Sequence, residues 1–254
     1  MRALAGELSK LASLPSIWIA MITGVVVPSA IAAVNAVSTR NAITRGAESM
    51  AGIDTGYQEL AFGVIGVIIV GVVAISSEYF TEGGESGGGR QITASLTAMP
   101  SRLHFLLAKA AAVAVMSALL AVAATAVTMS VLHLVLGEQV LVPMSTDGAR
   151  LFGVVCYWVL TSLLAFGITL LTRSGIIPLA VLIVNTSLVS VTYLLTRLTP
   201  LANYLPDMAG IRMFVRDIAD STADFSPLVG GAVMTAWVAA LLAVAAVVFC
   251  RRDA

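Results

Sequence analysis

Charge is what this sequence has least of. Asp, Glu, Lys and Arg supply 11% of its 254 residues, against about a quarter in a water-soluble domain. So few charges cannot cover the surface of a soluble protein of this length, and apolar residues make up 59%. The 14 basic and 14 acidic side chains cancel, so no global field draws nucleic acid. Cysteine is scarce too. Cys156 and Cys250 form no Cys-x-x-Cys pair, fall in apolar stretches and read as small apolar residues rather than a disulfide. With two histidines there is no His-Glu-x-x-His metal site, and no paired carboxylates lie inside an apolar stretch. An intramembrane enzyme therefore lacks its groups, and no metal is expected.

What is present instead is a set of long uncharged windows: 11–39, 60–77, 110–137, 151–172, 174–196 and 226–250, each of 18 or more residues. A bilayer core about 30 Å thick takes roughly 20 helical residues to cross, whereas barrel strands show alternating segments of about 10 residues. The expected fold is an all-α integral membrane protein with six transmembrane helices in one domain over 1–254. The spans are placed at about 16–38, 60–77, 110–136, 151–172, 175–196 and 227–250. The apolar run after Arg2 and Lys10 is too long for the h-region of a signal peptide and reads as a retained first span.

An even number of spans puts both termini on one side. If that side is the cytoplasm, its segments hold eight basic residues: Arg2, Lys10, Arg90, Arg102, Lys109, Arg173, Arg251 and Arg252. The outer segments hold six: Arg40, Arg45, Arg150, Arg197, Arg212 and Arg216. The bias is modest, and its direction favours cytoplasmic termini and a cell-membrane location.

Residues 1–15 pattern as a short interface helix, with Leu4, Leu8 and Leu11 on one stripe and Arg2, Glu7 and Lys10 off it. Residues 78–109 form the largest cytoplasmic segment. It starts with a flexible glycine-rich run. Then Ile92, Leu96, Met99, Leu103 and Leu106 recur at helical spacing, with Pro100 expected to kink or divide that helix. A tight turn at Thr172-Arg173-Ser174-Gly175 joins the fourth and fifth spans. In the outer loop 197–226, Asp207 is placed as the N-cap of a short amphipathic helix whose apolar face holds Ile211, Phe214, Val215 and Ile218.

The run Gly84-Glu85-Ser86-Gly87-Gly88-Gly89-Arg90-Gln91 has the two glycines of a phosphate loop. Arginine stands where lysine is needed, glutamine where a hydroxyl should hold magnesium, and no buried strand precedes it. A flexible linker is the better reading. No Asp, Glu, Lys or Arg falls deep in any window, which disfavours a proton- or sodium-coupled pump. His133, near the outer end of the third span, reads as an interfacial, solvated side chain. The fifth span carries Asn185, Thr186, Ser190 and Tyr193. Their first reading is interhelical hydrogen bonding; their second is the lining of a translocation path. Glycines at 63, 66 and 71, and small residues along the third span, permit close helix packing.

In order, the segments resemble the type-2 ATP-binding-cassette (ABC) permease family. Glu7-Leu8-Ser9-Lys10-Leu11 followed by Ser16 and Trp18 resembles its leading interface helix. Ser77-Glu78-Tyr79, then Gly89-Arg90-Gln91-Ile92-Thr93-Ala94-Ser95-Leu96, Pro100-Ser101-Arg102 and Ala108-Lys109 resemble its cytoplasmic coupling segment. Tyr204-Leu205-Pro206-Asp207 is similar to its outer loop, and Phe249-Cys250-Arg251-Arg252 to its C-terminus. The insertion at 80–88 departs from the pattern. The resemblance implies the permease subunit of an exporter, paired with a second permease copy or paralogue in the lipid bilayer. Two separate ATPase subunits would bind ATP and magnesium, so this chain is not an enzyme by itself and binds no cofactor. It also implies that Glu78, Arg90, Ile92, Leu96, Met99, Pro100 and Arg102 couple to the ATPase. A non-transport scaffold or assembly factor and a secondary transporter stay open beside it.

The topology has a direct test. A cysteine at Ser86 should label only from the cytoplasmic face and one at Ser221 only from outside. Labelling of Ser86→Cys in intact cells by an impermeant maleimide would reject the arrangement.

Overall fold

The computed structural model describes residues 2–45, 54–79, 101–137, 148–187, 191–216 and 226–251. All regular structure among them is helical. The first helix, α1, runs Arg2–Ser13. Leu14 is extended, and Pro15 starts α2, Pro15–Thr44. Proline suits this place because its fixed φ fits the first helical turn, where its missing N–H is not needed. Three more long helices follow: α3 Tyr57–Tyr79, α4 Arg102–Leu136 and α5 Gly148–Thr172. Arg173, in the left-handed region at φ 53°, turns the chain after α5 as the sequence predicts.

Within the predicted fifth span the described residues form α6, Ile176–Ser187, and α7, Val191–Thr196. A 3₁₀ turn at Pro200–Tyr204 and a short helix α8, Pro206–Ile211, lead to α9, Pro227–Arg251. The N-cap of α8 is Leu205, not Asp207, which sits in the first turn with its carboxylate turned to the bundle.

Among the described residues five helices, α2, α3, α4, α5 and α9, are long and apolar enough to cross a membrane. The chain is thus an all-α, multi-pass membrane protein by length and composition. Inside the bundle α3 is the hub, packing on α2, α4, α5 and α6. The outer helices present apolar side chains outward: Ile19 and Ile22 on α2, Leu119 and Val122 on α4, Val244 and Val247 on α9. In water such a surface would drive aggregation; against acyl chains it is the expected exterior.

Glycine sets the closest approaches. A Cβ on Gly66 would lie 2.6 Å from the carbonyl oxygen of Ala20 and 2.7 Å from the Cα of Gly24, so α2 and α3 meet backbone to backbone. A Cβ on Gly71 would lie 2.2 Å from the carbonyl oxygen of Ser162 on α5. Small residues take such contacts because packing, not the hydrophobic effect, holds helices together in lipid. Gly71→Ala should therefore cost about 1–3 kcal/mol, the range for overpacking. Gly6→Ala, whose methyl meets open space on α1, should be neutral or stabilising by up to about 1 kcal/mol. Unfolding in mixed dodecyl sulfate micelles measures both, and equal effects would refute the close contact.

Candidate functional site

Two polar constellations interrupt the apolar bundle. The first lies where α1, the end of α3 and the start of α4 converge. Lys109, one helical turn beyond Phe105 on α4, is 1% exposed. Its Nζ donates to Glu7 Oε2 at 2.7 Å and to Glu78 Oε1 at 2.9 Å. Lys10 also pairs with Glu78, from a position one-third exposed. Two cations and two anions from three helices cancel in a space almost closed to water. The Lys109 ammonium also stands 5.3 Å from the centre of the Phe105 ring, which stacks on Phe249 of α9 at 6.4 Å. Arg102 reaches the Phe249 carbonyl at 3.4 Å, so the same end of the bundle ties in α9.

The sequence places Glu7 off the apolar stripe of α1. In the structure it is buried, because it adjoins Leu11 on the helix face that meets α4. Leu103, expected on the stripe of the coupling helix, is half exposed, while Phe105, Leu106 and Lys109 face inward. Glu78 and Arg102 therefore fall together near one end, with Glu7 and Lys10 added. Arg90, Ile92, Leu96, Met99 and Pro100 lie outside the described residues.

The second constellation joins α5, α6, α7 and α8. Asp207 accepts from the Tyr157 hydroxyl and from Asn185 Nδ2, each at 3.0 Å. Asn185 Oδ1 accepts from the Thr192 backbone N–H at 3.1 Å and from its hydroxyl at 2.9 Å. The first N–H groups of a helix have no partner within it, and here the amide oxygen of Asn185 takes one of those of α7. These groups edge a cavity of about 580 Å³ whose lining includes Asn185, Thr186, Thr192 and Asp207. Of the predicted path residues, Asn185 and Thr186 line it. Ser190 and the side chain of Tyr193 lie outside the described residues.

At the opposite end of the bundle, a buried pair joins Arg150 at the start of α5 to Asp54 just before α3. The Arg150 Nε donates to the Phe214 carbonyl at 2.8 Å, and its guanidinium lies 3.8 Å from the centre of the Tyr57 ring. Asp54 also accepts the Arg216 N–H at 2.9 Å. Glu59, buried in the first turn of α3, accepts from Asn35 Nδ2 at 2.9 Å and from the Gly56 N–H at 2.8 Å, half of a capping box. His133 is exposed on α4, as its interfacial reading expects. None of the buried pairings was visible in the sequence, where each charge stands at the edge of an uncharged window.

No family model, curated protein or solved structure matches this chain.

Removing Lys109 would leave Glu7 and Glu78 buried with reduced compensation. Breaking one side of a buried ion pair costs about 3–5 kcal/mol, so Lys109→Met should destabilise on that scale. Lys10→Met, one-third exposed, should cost less than about 1 kcal/mol. Adding Glu78→Gln to Lys109→Met should recover part of the loss. Additive losses in this double-mutant cycle would refute the coupling.

Proposed function

We propose that this chain is the membrane-spanning permease subunit of an ABC exporter, using ATP hydrolysed by separate ATPase subunits. It resides in the cell membrane with both termini cytoplasmic. In this reading α6 and α7 together supply the sixth crossing, since α6 alone, at 12 residues, reaches only about 18 Å. Two ATPase copies dock on the cytoplasmic face, and a second permease copy or paralogue completes the path.

The observation that supports this most is the buried cluster of Glu7, Lys10, Glu78 and Lys109. Glu78 and Lys109 flank the predicted coupling segment on either side, and both are 1% exposed. A force applied to that segment by a partner would reach α3 and α4 through ion-paired positions, and α1 with them. A segment that merely rested on lipid headgroups would need no such anchorage. Arg90, Ile92, Leu96 and Met99 on that segment supply the docking contacts, and Pro100 and Arg102 lead it back into the bundle.

One observation favours a second reading, an ion-coupled transporter. An Asp–Asn pair, Asp207 with Asn185, lines a cavity beside apolar helices, and ionisable groups so placed mark ion pathways in such proteins. Purification separates the two. Pulled from its native membrane in mild detergent, the full chain should bring an ABC ATPase at near-equal stoichiometry. Leu96→Asp should release that ATPase while the permease stays folded, and coupled ATP turnover should be lost. A wild-type preparation without an ATPase, or a Leu96→Asp variant with normal coupled turnover, would overturn the exporter reading.

A further inference from the structure

Pro28 lies inside α2 and is buried. It stands about 20 Å along the helix from Pro15, at a depth where bulk water does not reach the backbone. Proline has no N–H, so the carbonyl of Gly24, four residues back, loses its helical donor. Gly24 is buried as well. The hydroxyls beside this point are engaged elsewhere. Ser29 Oγ donates to the Val25 carbonyl at 2.7 Å, and the Thr128 hydroxyl of α4 meets Ser29 Oγ at 3.2 Å.

Across from this carbonyl, α5 brings an unspent hydrogen. Trp158 has no exposure, and its Nε1–H finds no acceptor among the described residues. The other two tryptophans donate theirs, Trp18 to the Ala12 carbonyl at 3.0 Å and Trp237 to the Tyr204 carbonyl at 2.9 Å. An indole nitrogen is a donor only, so nothing within Trp158 itself compensates. The two side chains are neighbours. A Cβ on Gly63 of α3 would lie 2.7 Å from both Cζ2 and Cη2 of Trp158 and 2.8 Å from Cγ of Pro28. The indole edge and the proline ring thus meet over a residue without a side chain, and Cζ2 is bonded to the ring carbon that carries Nε1.

We propose that a single water molecule is held here, accepting from Trp158 Nε1 and donating to the Gly24 carbonyl. The chemistry selects water. The ligand must accept one hydrogen, give one, carry no charge and fit among residues closed to solvent. Water is the smallest molecule that does all four. Buried waters in proteins answer two to four such groups, and ordered water is one means by which membrane helices accommodate an interior proline. The bridge ties α2 to α5 across Gly63 in place of the helical bond that Pro28 removes. It does not depend on the exporter reading.

The test is nuclear magnetic resonance of the full chain in nanodiscs, with nitrogen-15 in the tryptophan indoles. Each of the three tryptophans gives one indole signal, and Trp158→Phe assigns its own by loss. The Trp158 indole proton should show an Overhauser cross-peak to water with the sign of a long-lived bound molecule. Comparison of rotating-frame and laboratory-frame spectra separates it from proton exchange. Pro28→Ala supplies an N–H to the Gly24 carbonyl and takes away one of the water's two partners, so the cross-peak should be lost and the indole signal should move. Pro28→Gly restores the same N–H and replaces Pro28→Ala if that variant does not fold. Gly6→Ala, whose methyl meets open space on α1, should leave the cross-peak unchanged. A wild-type Trp158 indole without a water cross-peak, or a cross-peak that survives restoration of the N–H at position 28, would overturn the proposal.

Discussion

An ammonium cannot stay charged in an apolar bundle without carboxylates beside it, and Lys109 has two. They come from different helices, Glu7 on α1 and Glu78 on α3. That single requirement fixes three things. It folds α1 back onto the bundle rather than leaving it free on the surface. It sets the register of α4 against α3 where the chain leaves for residues 80–100. It also places the Phe105 ring where it can stack on Phe249 of α9. Lys10 completes the balance at Glu78 from the partly solvated side. In a low dielectric, such a network gains strength from its neighbours and loses much when one member is removed.

The long helices were readable because crossing a membrane demands an uncharged window, and a window is a local property of sequence. Their ends were less so. Helix α4 starts at Arg102, well before its uncharged window, because Phe105, Leu106 and Lys109 find partners on α1 and α9. Seen one segment at a time, Lys109 and Glu78 flank spans and look solvated. The partner that buries Lys109 stands 102 residues away in the chain, and no spacing rule connects them. The pairing of Asp54 with Arg150, 96 residues apart, is hidden for the same reason. Asn185 stands out in the sequence as a polar residue in an apolar window. Its bonds to Thr192, seven residues on, match neither the three- nor the four-residue spacing of helical neighbours.

The bundle is therefore locked at both ends and close-packed in the middle. One end has the four-charge cluster. The other has the Arg150 guanidinium joined to Asp54, the Phe214 carbonyl and the face of Tyr57. Between them, Gly66 and Gly71 hold α2, α3 and α5 at backbone contact. Tight packing of this kind transmits displacement rather than absorbing it.

Beside α6 and α7 the frame differs. Polar side chains join the elements there, and they edge a cavity. Their groups form a single hydrogen-bond chain, from Tyr157 on α5 to Asp207, then Asn185, then Thr192 in α7. Asp207 is thus shared between the wall of the cavity and the amide that caps α7. A displacement of α8 that moved Asp207 would pull on the Asn185 amide, and that amide holds the first turn of α7. The wall of the cavity and the start of α7 are therefore not independent, because one side chain serves both.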